Sequence, residues 1–253
     1  MISKSRWHVR DKWKRHLALA GHGRLMQHIP PTKLLNRANL RQFLQRYNVL
    51  FLKPVHGSFG NNIIKVTRRR RAFLVHHENR VQRVLPGNLA RHLARRVNGR
   101  RYLLQKGVSL IRVNGRPADF RVLLLKPGSR WEVMGTMGKV ATGNRIVTNF
   151  NHGGRPVRLR EALRRAGWND RDIQRVRMRM YQVGLMAARQ FNRRYTHCRR
   201  LGIDFAIDMN KRIWILEVNT NPFYELFRFH ENRHLYAKIH GYMKRIRMLQ
   251  SDY

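Results

Sequence analysis

Short apolar runs follow one another from Val49 onward, and they predict a mostly antiparallel sheet. The runs are VLFLKPV, NIIKV, AFLVHH, YLLQK, DFRVLLL and WEVMGTMGKVA. A helical pattern near residues 88–97 interrupts them. Since the chain shows neither an internal repeat nor a Pro/Gly/Ser-rich linker, the pattern favours a compact α+β architecture.

Helical spacing dominates the two ends of the chain. Trp7, Trp13 and Leu17 share a stripe of one N-terminal helix, and Thr32 is expected to cap a second helix whose apolar positions are Leu34, Leu35, Leu40, Phe43 and Leu44. A long helix capped by Asn169 or Asp170 is predicted from its apolar positions, which are Ile173, Val176, Met180, Val183, Ala187 and Phe191. A last helix is expected over about residues 224–248.

Composition adds a strong positive charge to this picture. The 253 residues include 54 Lys and Arg against 13 Asp and Glu, a formal net charge of +41, while 42% of them are hydrophobic. Such a chain can bury a core in one domain or two closely packed subdomains. Its field attracts polyanions such as nucleic acid, an acidic peptide or an anionic polymer, although the arginine excess could also reflect genome composition.

Two further features restrict the cellular setting. The single cysteine, Cys198, excludes an internal disulfide framework and is typical of a reducing compartment. The N-terminus lacks the apolar block of a signal peptide, and no later run approaches membrane-spanning length. We therefore expect a soluble intracellular protein without a membrane partner.

The stretch LGIDFAIDMNKRIWILEVNTNP, residues 201–222, concentrates three of the scarce acidic residues. A two-residue turn at Asn210-Lys211 would place Asp204 directly opposite Glu217, with Cβ atoms about 5 Å apart. Facing carboxylates repel each other unless a cation or proton lies between them. Asn219 lies two residues beyond Glu217 and therefore on the same face of the strand.

This all-oxygen cluster of Asp204, Glu217 and Asn219 has the ligand chemistry that Mg²⁺ prefers. The alternative is that nearby arginines neutralise the carboxylates. Asp208 shares the face but lies about 13 Å along the strand, so we expect it to cap the turn.

A glycine-containing loop offers the phosphate-binding groups that would accompany a magnesium cluster. In LKPVHGSFGNNIIKV, residues 52–66, Lys53 ends an apolar strand and a Gly/Ser-rich loop leads into the next strand. Glycines let backbone N–H groups approach phosphate oxygens, and Lys53 can neutralise their charge. The stretch lacks the GxxxxGK[ST] pattern of a P-loop. His56 in this loop is expected to be solvent-exposed.

These motifs, taken in order, resemble a known family. KPxxGSxG is followed by Gln105-Lys106-Gly107, DFR at residues 119–121, TNFNHGG at residues 148–154 and GIDFAID…WILEVNTNP. The order looks like the ATP-grasp fold and, more narrowly, is similar to the YheC/YheD family of bacterial endospore coat-associated proteins. The resemblance implies two α+β subdomains with nucleotide between them, arranged as an N-terminal helical segment (1–47), a small lid subdomain (48–105) and a core subdomain (106–253).

The resemblance also implies a nucleotide site. The lysine that matches Lys53 binds phosphate in ATP-grasp enzymes, and the loop that matches Gly57, Ser58 and Gly60 closes over the phosphates. Gln105 and Lys106 match the strand linking the subdomains, where an acidic residue usually contacts adenine. Glutamine departs from that pattern but can still donate and accept hydrogen bonds.

The remaining matches concern metal and phosphoryl transfer. Asp204, Glu217 and Asn219 match the family's metal ligands. Arg121 matches the arginine of the DFR motif and is expected to stabilise transferring charge. Lys139 stands where related sequences often have arginine. With ATP and Mg²⁺ as cofactors, the expected chemistry is phosphorylation of a carboxylate to an acyl phosphate that an amine or thiol then attacks.

The expected partners follow from the charge and the resemblance together. They are ATP, an acidic peptide or polymer substrate, non-specifically bound polyanions and spore-coat proteins, in the bacterial cytoplasm, the forespore or the spore coat. The alternative function is a non-catalytic spore-coat or polyanion-binding protein that retains the fold. Loss of Lys53 or of the acidic cluster would have favoured that alternative, and both are present.

Overall fold

The computed structural model describes residues 8–57, 60–141 and 154–251 of the chain. It opens with two helices, α1 (Lys12–Ala20) and α2 (Gly23–Met26). Asp11 caps α1, because its side chain accepts a hydrogen bond from the backbone N–H of Lys14 at 2.8 Å. On α1, Arg15, Ala18 and Leu19 are buried, and the helix packs beside the second of two sheets.

The first sheet is a six-stranded antiparallel one. Its elements in chain order are β1 (Thr32–Leu34), α3 (Arg37–Arg46), β2 (Val49–Pro54), β3 (Ile64–Arg69), β4 (Ala72–His77), β5 (Arg80–Val84), α4 (Pro86–Val97) and β6 (Tyr102–Lys106). The strand order is β1-β6-β2-β3-β4-β5. Alternation along β2 buries Leu50 and Leu52 in a core shared with α3 and α4, and turns Phe51 and Lys53 to the opposite face.

The second sheet is also antiparallel and carries the rest of the chain. Its elements are β7 (Arg112–Val113), β8 (Arg116–Leu125), β9 (Glu132–Val140), β10 (Arg155–Arg158), α5 (Leu159–Arg165), α6 (Asp170–Arg194), β11 (Arg200–Ile207), β12 (Ile213–Asn219), a 3-10 helix (Glu225–Phe229) and α7 (Leu235–Ser251). The main strand order is β10-β9-β8-β11-β12, and β7 pairs with β8. Helices α1 and α6 pack on one face of this sheet and α7 on the other, which explains why β11 is buried along its whole length.

These elements confirm the predicted α+β class and the antiparallel pairing, and they correct several boundaries. Thr32 does not cap a helix: it begins β1, and α3 is capped by Asn36, whose side chain accepts from the N–H of Asn39 at 2.7 Å. The last long helix begins at Leu235 rather than near residue 224, because a 3-10 helix precedes it. Asn169 is the cap of α6.

The N-terminal helical segment predicted for residues 1–47 is divided between the two sheets. Strand β1 pairs with β6, and α3 packs in the core of the first sheet. Helices α1 and α2 instead join the core of the second sheet. Helical periodicity could not show this division, because it depends on which sheet each apolar face meets.

The β11–β12 hairpin has the predicted pairing but a different turn. Asp204 lies opposite Glu217, whereas Ile207 pairs with Ile213, so the connection spans residues 208–212 rather than two residues. A bulge between Asp204 and Phe205 restores the register. Asp208 caps the turn as expected: its side chain accepts from the N–H of Asn210 at 2.9 Å and of Arg212 at 3.0 Å.

Candidate functional site

A cleft of about 630 Å³ lies between the two sheets. Strands β2 and β6 supply one wall, β8, β9, β11 and β12 supply the opposite wall, and the start of α1 closes one end. Three carboxylates line it, from Asp119, Asp204 and Glu217. Seven basic side chains surround them: Arg10, Lys12, Arg15, Lys53, Lys106, Arg121 and Lys139. The cleft is therefore suited to an anionic ligand.

Lys53 points into the cleft from the end of β2. Its Nζ donates to Gln105 Oε1 at 2.7 Å and lies 3.4 Å from the carbonyl oxygen of Leu216 on β12. Burial lowers the pKa of Lys53, and the nearby Glu217 carboxylate opposes that shift. The amine thus reaches from the first sheet almost to the second.

Gln105 and Lys106 end β6 at the same wall. The Gln105 amide accepts from Lys53 and donates to Thr32 Oγ1 at 3.1 Å, so its orientation is set by two partners. Lys106 Nζ lies 5.5 Å from the ring centroid of Tyr47 and 5.6 Å from that of Trp214. Lys106 therefore connects this edge of the cleft with two aromatic rings beside it.

The glycine loop follows β2 directly. Gly57 has φ 139° and Gly60 has φ 75°, backbone conformations that favour glycine. The His56 side chain is 67% exposed, as predicted. Ser58, assigned to the same loop, lies outside the described residues, as do residues 148–153 of the TNFNHGG motif.

Asp204 on β11 is held by two cations, one from the neighbouring strand β8 and one from β9 beyond it. Arg121 on β8 donates to both of its oxygens at 2.8 Å, and Lys139 on β9 donates to Oδ1 at 3.3 Å. Lys139 also forms an ion pair with Asp119 at 3.0 Å. Burial would raise the Asp204 pKa, but Arg121 and Lys139 outweigh it and hold that pKa well below its usual range.

Glu217 on β12 is held by two cations from α1 instead. Arg15 Nη2 lies 3.1 Å and Lys12 Nζ 3.6 Å from Oε1. Burial raises the Glu217 pKa, but Arg15, Lys12 and Lys53 reverse the shift, so the pKa is lowered. Asn219 forms hydrogen bonds on both sides. Its Oδ1 accepts from Arg15 at 3.0 Å, the same side chain that contacts Glu217, and its Nδ2 donates to Asp204 Oδ2 at 3.3 Å.

The structure thus brings the assigned residues that it describes into one cleft, and it favours the alternative in which basic side chains neutralise the carboxylates. Asp204 and Glu217 do not face each other as an unrelieved repulsive pair, because basic side chains neutralise each one separately. Lys12, Arg15 and Asp119 were not identified from sequence. Asp119 lies in the quoted DFR motif, but Lys12 and Arg15 carry no sequence signal in a helix that has several basic residues.

The oxygen atoms of this cluster decide which metal it could hold. Within the described ranges, no three His, Cys, Asp or Glu side chains are grouped so as to hold a metal ion. Two carboxylates and an amide oxygen nevertheless fit Mg²⁺, which is usually bound by one or two carboxylates together with substrate phosphates rather than by a complete protein cage. Asp204, Glu217 and Asn219 are adjacent in the β11–β12 register, since Gly202 pairs with Asn219 and Asp204 with Glu217.

Two antiparallel sheets around a cleft with a glycine loop, a lysine and a carboxylate hairpin define the ATP-grasp class of protein. Within that class, a family model described as YheC/D like ATP-grasp matches residues 4–245, and the chain belongs to this family. It is 28% identical over 236 residues to the endospore coat-associated protein YheD of Bacillus subtilis (strain 168), an alignment that covers 88% of this chain and 50% of YheD.

A second relative is the endospore coat-associated protein YheC of the same organism, 23% identical over 223 residues, with 84% of this chain and 60% of YheC covered. The chain therefore spans about half to three fifths of the curated relatives that it matches. No helix in the described ranges combines the length and apolar character needed to cross a membrane.

Solved structures confirm the fold. The D-cycloserine synthetase DcsG matches with a TM-score of 0.56 and 16% identity, covering 95% of this chain and 71% of DcsG. The ATP-grasp ligase PsnB, complexed with minimal precursor, matches with a TM-score of 0.54 and 13% identity, covering 93% of this chain and 60% of PsnB. At these identities the likeness concerns architecture alone.

Proposed function

We propose that this protein is an ATP- and Mg²⁺-dependent carboxylate ligase of the ATP-grasp type. The observation that carries the proposal is the meeting of Lys53 from the first sheet with the Asp204, Glu217 and Asn219 cluster of the second sheet in one basic cleft. A lysine and glycine loop suit nucleotide phosphates, and the oxygen cluster suits Mg²⁺. A PsnB structure that contains Mg and ADP matches this fold with a TM-score of 0.51.

Each wall of the cleft has a defined task in this proposal. The body formed by β1 to β6 with α3 and α4 holds the phosphates through Lys53 and the glycine loop, and Gln105 and Lys106 contact the base. The pairing of β1 with β6 and the packing of α3 in the same core support a lid that begins at residue 32, whereas the resemblance implied a start at residue 48. The second sheet holds the metal through Asp204, Glu217 and Asn219.

Bound Mg-ATP would supply the phosphoryl group that activates a carboxylate for attack by an amine or thiol. Arg121 and Lys139 lie at 2.8 and 3.3 Å from Asp204, so they are positioned beside the proposed metal site, where transferring charge needs stabilisation. Both side chains would orient the substrate carboxylate and the nucleotide phosphates without forming a covalent bond, so no protein nucleophile is required.

The substrate proposed is an acidic peptide or polymer, because the cleft has seven basic side chains against three carboxylates. The solved neighbours include a D-cycloserine synthetase and a D-Ala:D-Ser ligase of Enterococcus faecalis, so the fold accommodates different acceptors. The two endospore coat-associated relatives support a role in bacterial spore formation. The proposed location is the cytoplasm, the forespore or the spore coat, and the proposed protein partners are spore-coat proteins.

Calorimetry with Mg-ATP tests the proposal. Lys53→Ala should weaken binding at least about tenfold, since loss of a charge-assisted phosphate contact costs 1.5–3 kcal/mol or so. Lys33→Ala removes the same charge from an exposed position on β1 and should bind like the parent. Equal affinity of the parent and Lys53→Ala would contradict the assignment. A screen for acceptor-dependent ADP release then tests catalysis.

The second candidate is a non-catalytic polyanion-binding protein, and the charge of residues 32–106 favours it. This stretch has 18 Lys and Arg but a single acidic residue, Glu78. Among the described residues, none of those 18 side chains forms a salt bridge. Duplex DNA should then bind with an affinity that falls steeply with salt, and salt-insensitive binding would contradict an electrostatic surface.

A further inference from the structure

Helix α1 joins the two walls of the cleft. The backbone N–H of Lys12 donates to the Val55 carbonyl at 2.9 Å, and its Nζ donates to the Gly57 carbonyl in the glycine loop. One turn later, Arg15 Nη1 donates to the Val218 carbonyl at 2.6 Å on the opposite wall. The same helix therefore contacts the phosphate loop and the strand of the proposed metal ligands.

The two cations of α1 occupy the oxygens assigned to Mg²⁺. Arg15 donates to Glu217 Oε1 at 3.1 Å and to Asn219 Oδ1 at 3.0 Å, and Lys12 lies 3.6 Å from the same Glu217 oxygen. Two of the three proposed metal ligands thus already contact positive charge supplied by α1. The Arg15 side chain is only 7% exposed, so little water screens this contact.

A divalent cation and these two side chains cannot share one carboxylate oxygen. Their like charges would lie within a few ångströms in a partly buried site, where repulsion is strong. Arg15 and Lys12 must therefore leave this oxygen when metal takes it, and they need new anionic partners. Arg15 Nε is buried without a hydrogen-bond partner in the described part of the chain, so this guanidinium has a donor to spare.

We propose that Lys12 and Arg15 are exchange cations of the nucleotide site. Both neutralise the Glu217 carboxylate and Arg15 also donates to Asn219, and both transfer to phosphate oxygens when Mg-nucleotide enters. The inference rests on the proposed nucleotide binding and adds a role for α1 that is distinct from the phosphate contact of Lys53. It also predicts an order of affinities: metal alone binds weakly, and metal bound to nucleotide binds tightly because the phosphates take over the displaced cations.

The exchange has a signature of two opposite effects. Replacing Arg15 with Gln should tighten the binding of Mn²⁺ alone, because a competing cation is gone, and weaken the binding of ATP in chelator, because a phosphate partner is gone. A purely structural role for Arg15 would weaken both. Lys12→Ala should show the same two changes, and it protects the test against misfolding of the Arg15 variant, since Lys12 is less buried than Arg15.

The experiment measures Mn²⁺ binding by electron paramagnetic resonance and ATP binding by calorimetry in the presence of chelator. Both variants should bind Mn²⁺ at least about fivefold more tightly and ATP at least about fivefold more weakly than the parent, which is the lower range of measured site couplings. Lys14→Ala is the matched control, because Lys14 is an exposed lysine of the same helix. It should change neither affinity by more than about twofold.

The outcomes separate this inference from the proposed function. If the parent binds Mg-ATP but the Arg15 and Lys12 variants bind Mn²⁺ no more tightly than Lys14→Ala, the exchange is wrong and nucleotide binding stands. If the parent binds neither Mn²⁺ nor nucleotide, both proposals fail. Tighter Mn²⁺ binding with unchanged ATP affinity would also overturn the exchange, because the displaced cations would then have no phosphate partner.

Discussion

His16 lies on α1, one residue after Arg15, with its ring stacked on Trp13 at a centroid distance of 5.1 Å. Burial lowers its pKa to about 4. In the unfolded chain, histidine titrates near 6.5. Between pH 6.5 and 4 the unfolded state therefore binds a proton at this histidine, whereas the folded state does not. The free energy of unfolding should therefore fall as pH drops through this window, by roughly 2–3 kcal/mol.

Other acidic and basic groups contribute to the same pH dependence, so the His16 share requires a comparison. Urea denaturation of the parent and of His16→Gln at pH 7 and pH 4.5 gives the loss of unfolding free energy of each protein on acidification. The difference between the two losses is the His16 share. The variant should lose less stability on acidification than the parent. An identical loss of unfolding free energy in both proteins would show that His16 accepts a proton as readily in the folded protein as in the unfolded chain.

Gly202 lies beside Asn219 in the β11–β12 register. A Cβ atom at this position would come within 2.6 Å of Pro222 Cβ, closer than carbon atoms approach. Gly202→Ala should therefore destabilise the protein by about 1–3 kcal/mol through overpacking and, by displacing the end of β12, weaken Mg-ATP binding. Gly128→Ala is the control, because no atom lies within 4 Å of a Cβ there, and chemical denaturation with calorimetry checks both.

The β11–β12 hairpin depends on Asp208 at its turn. Besides the two backbone N–H groups of the turn, its Oδ2 accepts from Trp214 Nε1 at 2.8 Å. Asp208→Ala should cost about 2–3 kcal/mol in thermal or urea unfolding, because it leaves three donors without their acceptor. Asp170→Ala removes an equally charged but 53% exposed side chain and should cost much less, because solvent screens its ion pairs. Similar losses from both would mean that the turn does not need the cap.

At the level of the whole molecule, Glu217 links α1, the second sheet and the proposed ligand. If Asp204 and Glu217 only faced each other, Glu217→Gln would relieve a repulsion between carboxylates. The Arg15 and Lys12 contacts reverse this expectation, because the variant leaves a buried guanidinium opposite a neutral amide. In chelator, Glu217→Gln should melt below the parent, with a loss of roughly 1–3 kcal/mol.

Adding Mg-ATP extends the same experiment. At 100 times its dissociation constant, a ligand stabilises the folded state by about 2.7 kcal/mol, so the parent's melting temperature should rise. It should rise much less for Glu217→Gln, since a metal ligand is lost. Glu231→Gln, at an exposed position, should keep the full shift. An undiminished shift in Glu217→Gln would show that its carboxylate serves only to neutralise α1.

The sequence by itself determined the parts that depend on local pattern. Strand and helix types, the Asn169 cap and the opposition of Asp204 and Glu217 follow from periodicity, capping chemistry and the alternation of side chains along a strand. The glycine loop after Lys53 is equally local. Even the pairing at Asp204 was reached through a two-residue turn that the hairpin lacks, because a bulge offsets the longer connection by one residue.

Only the tertiary structure decided which cations meet which carboxylates. With 54 basic residues in the chain, no pattern distinguishes Arg15 from its exposed neighbours. Its partners are 202 and 204 residues away, and packing of α1 on the second sheet brings them together. Arg121 meets Asp204 for the same kind of reason, since β8 and β11 are neighbours in space and 83 residues separate the pair in sequence. Electrostatic partners depend on distance through space, and that distance is set by how the elements pack.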